Sequence, residues 1–344
     1  RKGGWTMKIN KRTGLLICLL IIVSVFFGLC GCNGNHIADS KDDGKISVVT
    51  TVFPAYDWVC QVVGNEAERY DISMIADNGA DLHSYQPTAA DILKISQCDM
   101  LVYVGGESDR WVAEAAGQAQ NKDMIVINLL EAGAGHVLAE ETVEGMKDDG
   151  HDHDGTGGHS HDEEQAADEH IWLSLRAADT MVGSIEEGLS GIDPAHADEY
   201  MRNGEVYREK LRDLDAKYSR RLADAPKDTL IFADRFPFLY MLNDYNIDYY
   251  AAFAGCSAET EADFETIAFL IDQADRIGAG TILTMEGSDD KIARTVAAGM
   301  ERDDIQIKRL NSMQYITAGD MADGAAYLSI MEENLQVLCE ALGA

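Results

Sequence analysis

From Ile46 onward the chain alternates short, continuously apolar or β-branched runs with longer amphipathic ones. ISVVTTV at 46–52, MLVYVG at 100–105 and MIVINL at 124–129 are separated by stretches with helical spacing of apolar residues, around 55–63 and 111–118. Continuous apolar strands interleaved with helices predict βαβ units around a parallel sheet. The same pattern returns at 229–233 (TLIFA), 247–253 (IDYYAAF), 281–285 (TILTM) and 305–310 (IQIKRL), with helices predicted over 261–273 and 322–342. Between these halves, Tyr200, Tyr207, Leu211, Leu214, Tyr218 and Leu222 fall at spacings of three, four and seven, which traces one face of a helix over 195–223. At about 1.5 Å per residue such a helix is a rod of roughly 43 Å, long enough to bridge two lobes. Pro194 suits its first turn, with Asp193 as the N-cap. The fold class is therefore α/β: two lobes, each a parallel-type sheet flanked by helices, with a long helix between them. The first lobe is expected over 46–172, the connecting helical segment over 173–226 and the second lobe over 227–344.

The start of the chain has a different pattern. MKINKR from Met7, an apolar run over 15–29 and then Leu29-Cys30-Gly31-Cys32 describe an export signal over 7–32. The run of about 15 residues is shorter than the roughly 20 that span a bilayer. Residues 1–6, RKGGWT, read as foreign to that signal and are left out of the fold argument.

Charge narrows the class of partner. The 344 residues carry a formal net charge of −32, which repels a phosphate backbone and excludes nucleic acid as a natural ligand. A cation fits better. Twelve carboxylates against one lysine lie between Glu140 and Glu169, and four of the nine histidines, His151, His153, His159 and His161, fall within the same acidic, Gly-containing tract. Imidazole and carboxylate are ligand types that suit zinc and its first-row neighbours, and such a tract has too little apolar surface to fold by itself. It reads as an auxiliary metal-collecting loop over 140–169; the alternative is an acidic surface linker. Beyond the export signal the cysteines are Cys60, Cys98, Cys256 and Cys339, with no CxxC pair, so neither a disulfide scaffold nor a zinc ribbon is encoded.

Two further histidines have more pointed surroundings. His83, in DLHSYQPTAADI, follows a Gly-containing turn and precedes Pro87 and a helix expected near Thr88, which puts it on a loop at the edge of the first lobe. His170, in DEHIWLSL, stands at the apolar end of the acidic tract. Taken singly, each reads as an ordinary structural histidine. Together with Leu-x-Gly-Cys ending at Cys32, Tyr85 and Pro87 after His83, the acidic His-rich insertion, His-Ile-Trp-Leu-Ser from His170 to Ser174 and the long central helix, they give the chain a pattern that resembles the zinc/manganese solute-binding lipoproteins of ABC importers. The resemblance covers nearly all of the chain after the signal.

It implies two α/β lobes joined by a rigid helix, one divalent metal in the cleft between them, His83 and His170 as the first lobe's ligands, and lipidation at Cys32. It also implies a monomer tethered to the outer face of a bacterial cytoplasmic membrane that hands Zn2+, alternatively Mn2+, to an ABC permease. The second lobe departs from the family pattern. Where zinc-binding members have a histidine after the lobe's first strand, this chain has Ala233 in Phe232-Ala233-Asp234-Arg235-Phe236, and where manganese-type members carry a late acidic ligand it has Asn311-Ser312-Met313-Gln314. Asp234 is the leading replacement, with a salt bridge to Arg235 or a helix cap as its alternative role. Glu286 is the second, with a cap to a helix near Asp289 as its alternative. Cys256 would be a strong soft ligand if it lay near the metal, and a small buried residue otherwise. Gln314 is the weakest of the four. The rival readings are a secreted zinc-dependent hydrolase and a metal-binding surface adhesin of the same fold. HExxH, G-x-S-x-G and a P-loop are all missing, so the chain is read as a binding protein and not an enzyme.

Overall fold

The computed structural model describes residues 44–146, 166–257 and 261–344. The expected export signal with Cys32, and His151, His153, His159 and His161, lie outside the described residues. The first lobe runs β1 (Ile46–Thr50), α1 (Phe53–Val63), β2 (Tyr70–Met74), α2 (Ala89–Gln97), β3 (Met100–Tyr103), α3 (Arg110–Gly117), β4 (Ile125–Asn128) and the short α4 (Leu129–Ala132). Its four strands lie in the order β2-β1-β3-β4, all parallel. Strand β2, YDISM, is not among the runs expected from apolar continuity: it is an edge strand, its middle residues are half or fully exposed, and alternating polar residues are tolerated there. Helix α2 starts where expected because Thr88 and Asp91 form a reciprocal capping box.

Two long helices follow, α5 (Leu175–Ile192) and α6 (Ala197–Leu222). The six apolar residues that traced the face of α6 are all buried. Helix α6 packs on α1, on α5 and on the final helix, α11 (Tyr327–Leu342). Two of its tyrosines carry this bridging into hydrogen bonds. Tyr207 donates to Asp57 in α1 at 3.1 Å, and Tyr218 donates to the carbonyl of Met331 in α11. Asp193 does not cap the helix as expected. Its carboxylate accepts from Tyr200 at 2.7 Å and pairs with Arg69 at 2.7 Å, so a single 3-10 turn, Pro194–His196, leads into α6 instead.

The second lobe runs β5 (Thr229–Phe236), α7 (Leu239–Asp244), β6 (Asp248–Ala254), α8 (Phe264–Arg276), β7 (Thr281–Met285), α9 (Lys291–Gly299), β8 (Gln306–Leu310), α10 (Ala318–Ala322) and α11. Its strand order, β6-β5-β7-β8, repeats that of the first lobe. One apolar core runs through both lobes, from Val48 and Val102 beneath the first sheet, through Leu211 and Tyr218, to Phe232 and Leu283 beneath the second. Separate clusters cover the outer face of each sheet. Burying a Leu- or Phe-sized side chain contributes roughly 1.5–3 kcal/mol, so the shared core and the rod of α6 together resist a wide hinge motion.

Candidate metal centre

The site is built at the carboxyl ends of the strands, where open parallel sheets present their loops. After β2 the chain reaches a 3-10 turn, Leu82–Ser84. Asp81 fixes it: its Oδ1 accepts the His83 N–H at 3.0 Å and its carbonyl accepts the Ser84 N–H at 3.1 Å, an Asx turn that sets the direction of the His83 ring. His83 Nδ1 lies 2.6 Å from Ser108 Oγ and 3.5 Å from Glu169 Oε2.

His170 is fully buried. Asp168 Oδ1 accepts both its backbone N–H, at 2.8 Å, and pairs with its Nδ1 at 3.0 Å. The strap that carries it is tied to the second lobe. Tyr240 donates to the Asp168 carbonyl at 2.7 Å, Trp172 Nε1 to the Ser312 carbonyl at 2.8 Å, and Tyr327 to the Trp172 carbonyl at 2.6 Å. The position of His-Ile-Trp is thus set by bonds made from α7, α11 and the loop after β8.

The two rings meet at their free ends, with Nε2 to Nε2 3.1 Å apart. In the tautomers that put each Nδ1 proton on its oxygen neighbour, Ser108 Oγ for His83 and Asp168 Oδ1 for His170, both Nε2 atoms present lone pairs to the same point, an arrangement suited to a cation between them. A tetrahedral zinc with Zn–N near 2.0–2.1 Å would set two imidazole nitrogens roughly 3.3–3.4 Å apart, so the pair is close to that spacing. Burial pushes His83 down to about 4, and the neighbouring His170 adds to this. At His170 burial acts the same way, but Asp168, Glu169 and Asp81 outweigh it and raise the imidazole. The pair therefore holds one extra proton readily and a second one poorly.

Cys256 joins them from the second lobe. Its Sγ and one nitrogen of each histidine all lie within 4.8 Å of one another. Gly255 makes the approach possible, because a Cβ there would fall 3.0 Å from His170 Cε1 and 2.8 Å from the Phe236 carbonyl. The thiol is raised by burial and then by the Glu140 carboxylate beside it, and Glu140 is itself raised by burial and by Asp168.

The two carboxylates expected from the second lobe are spent elsewhere. Asp234 Oδ1 accepts the Arg235 backbone N–H at 2.9 Å and its Oδ2 lies 3.4 Å from the Met285 N–H. Glu286 holds the loop after β8, accepting from the Ser312 N–H at 2.7 Å, the Ser312 hydroxyl at 2.6 Å and the Gln314 N–H at 3.1 Å. Neither belongs to the metal-sized group among the described residues. The reason lies partly in β5, whose register against β6 slips by one residue between Phe232 and Arg235. Such a bulge re-aims the side chains that follow it. Arg235 is turned to Asp81, at 2.8 Å, and so a guanidinium fills the part of the cleft where a second-lobe carboxylate was expected. Gln314 keeps a buried Oε1 with no hydrogen-bond partner among the described residues, while its Nε2 donates to Ser312.

Asp81 and Ser108 were not picked out by sequence reasoning, and Glu140, Asp168 and Glu169 entered it only as members of the acidic tract leading to His170. The acid pair immediately before His170 was the available signal: the two consecutive carboxylates serve different histidines, Asp168 backing His170 and Glu169 backing His83. Gly106 permits this, since a Cβ there would meet the Glu169 carboxyl at 2.3 Å. The same strap closes the base of the acidic tract, with Glu140 N–H donating to the Ala166 carbonyl at 2.8 Å and Asp168 N–H to the Leu138 carbonyl at 3.0 Å. Both ends of the tract are thereby fastened within a few residues of His170.

Two parallel α/β lobes, a bridging helix and a cation-fitting site between strand ends define a two-lobed binding protein. A family model described as the periplasmic component A of the zinc-uptake complex, ZnuA, matches residues 48–341, and the chain belongs to that family. The zinc-binding protein AdcA of Streptococcus pyogenes serotype M6 is 29% identical over 328 residues, covering 94% of this chain and 60% of AdcA; the chain thus spans somewhat over half of that relative. The high-affinity zinc uptake system protein ZnuA of Bacillus subtilis is 28% identical over 327 residues, covering 94% of this chain and 97% of that protein. Among solved structures, the metal-dependent lipoprotein YcdH of Bacillus subtilis superposes with a TM-score of 0.69 at 25% identity, covering 87% of this chain and all of the other.

Proposed function

We propose that this protein captures Zn2+ in the cleft between its lobes, on the outer side of a bacterial cytoplasmic membrane, and delivers it to the permease of an ABC importer. The observation that carries this reading is the meeting of His83 Nε2 and His170 Nε2 at 3.1 Å, each ring braced from behind by an acidic side chain. Braced imidazoles are the ordinary way in which a protein holds zinc with a fixed tautomer. Family membership and the names of the relatives support uptake as the task, and no bond in the cargo need be made or broken. Lipidation at Cys32 would supply the tether, and His151, His153, His159 and His161 would gather ions near the cleft. Calorimetric titration of the metal-free protein with Zn2+ tests the reading: one tight site is expected, and its survival unchanged in both His83→Ala and His170→Ala would refute it.

A further inference from the structure

We infer that Cys256 is the second lobe's metal ligand, so that the cleft closes on zinc through two imidazoles and one thiolate. This rests on the metal-capture reading and deepens it. The thiol is the one His, Cys, Asp or Glu ligand from the second lobe that shares a metal-sized group with His83 and His170 among the described residues. Its position is specifically provided for, because the backbone at Gly255 approaches His170 closely enough to exclude any side chain there. A second observation also points to a cation: Glu169 Oε2, on a side chain only 5% exposed, faces the His83 ring at 3.5 Å and has no hydrogen-bond partner among the described residues, so a buried carboxylate backs an imidazole whose far nitrogen turns to His170.

The chemistry follows. The S–H bond breaks, its proton passes to the adjacent Glu140 carboxylate and on to water, and a metal–sulfur bond forms; nothing is oxidised. Zn–S near 2.3 Å and Zn–N near 2.0–2.1 Å bring sulfur and nitrogen to roughly 3.5 Å of one another. From a spread of up to 4.8 Å, the 255–256 loop has to close by at most about 1.3 Å. A thiolate in the set disfavours Mn2+, which prefers oxygen ligands, and favours Zn2+. Arg235, paired with Asp81, fits this assignment, since a cleft already supplied with a thiolate has no need of a second-lobe carboxylate at the end of β5.

Cobalt(II) reports the ligand directly. Adding the first equivalent of Co2+ to the full chain should give tetrahedral d–d bands together with a thiolate-to-cobalt charge-transfer band. In Cys256→Ser the charge-transfer band should vanish, zinc affinity should fall by at least about 10- to 100-fold, and the preference for Zn2+ over Mn2+ should narrow. Cys256 is only half-buried, and an unchanged melting curve of the metal-free variant separates lost ligation from lost folding. Tight cobalt binding without the charge-transfer band, or with a band that persists in Cys256→Ser, overturns the inference while leaving metal capture by the histidines intact. Cobalt binding that is indifferent to His83→Ala and His170→Ala overturns the capture reading, and the thiolate with it.

Discussion

Arg235 of the second lobe and Asp81 of the first form an ion pair at 2.8 Å, with side chains 14% and 6% exposed. Tyr315 is shared between them, 2.5 Å from the guanidinium and 3.3 Å from the carboxylate. Burial alone would raise Asp81, but His83 and Arg235 outweigh it and hold the carboxyl below its ordinary value. The pair thus fastens the lobes one turn away from His83. Breaking a largely buried pair from one side leaves a charge without its partner, so Arg235→Gln and Asp81→Asn should each destabilise the protein by about 2–4 kcal/mol. The double variant should lose less than the sum by about 1–2 kcal/mol. Urea unfolding of the four proteins measures this, and strict additivity would show that the contact contributes nothing as a pair.

Removing either imidazole takes a donor out of a small ligand set. His83→Ala and His170→Ala should each weaken zinc binding by at least about 10- to 100-fold, the loss that even an outer partner of a metal ligand can cause. Competition against a chromophoric chelator gives the number, and equal affinity in wild type and both variants is the contrary result.

Asp168 acts through His170. Its Oδ1 takes both the backbone and ring N–H of that residue, so Asp168→Asn keeps the shape but replaces the charge that stabilises the ligating imidazole. Zinc affinity should fall about 10-fold or more, with the melting temperature of the metal-free protein changing little. Glu169→Gln should act in the same direction through His83. If both variants bind zinc as the parent does, the carboxylates are only part of the packing.

Much of the fold was legible because the inner parallel strands β1, β3, β5 and β7 are written as largely apolar runs, and the edge strands β4, β6 and β8 keep enough apolar residues to be read with them. Strand β2, also at an edge, escaped because Asp71 and Ser73 break its short apolar pattern. His83 and His170 were legible as a pair only through the motifs around them. The second lobe's contribution was not, because it depends on where a one-residue bulge in β5 points Arg235 and on how closely Gly255 lets the 255–256 loop approach His170. Asp234 and Glu286 have the right chemistry for a metal, but local hydrogen bonds to Arg235, Met285 and the 312–314 loop claim their oxygens first.

Deleting residues 151–161 should leave the tight site in place. Ligands on a tract that must be ordered to bind start at an entropic disadvantage against a preformed pair, so total zinc stoichiometry should drop while the tightest affinity stays within about threefold. Uptake by cells in zinc-poor medium should slow. Loss of the tight site on deletion would make the tract itself the principal site.

Acid should weaken zinc binding, with a slope that counts protons. Ligation needs both Nε2 lone pairs and a thiolate, so every proton held by those groups in the metal-free protein must leave when the ion enters. His170 is raised above the usual histidine value by its carboxylate neighbours, so it competes from neutral pH downwards. His83, pushed down to about 4, is already neutral over most of that range and adds no step until strong acid. Cys256, raised by burial and Glu140, carries its proton throughout. Between pH 8 and 5 the apparent affinity should therefore fall with a slope approaching about two protons per ion, one from the histidine pair and one from the thiol. In Cys256→Ser the slope should approach about one. Titration in the tract-deleted protein isolates the cleft, and an affinity that does not change with pH in that window would exclude an imidazole–thiolate site in favour of an all-oxygen cage.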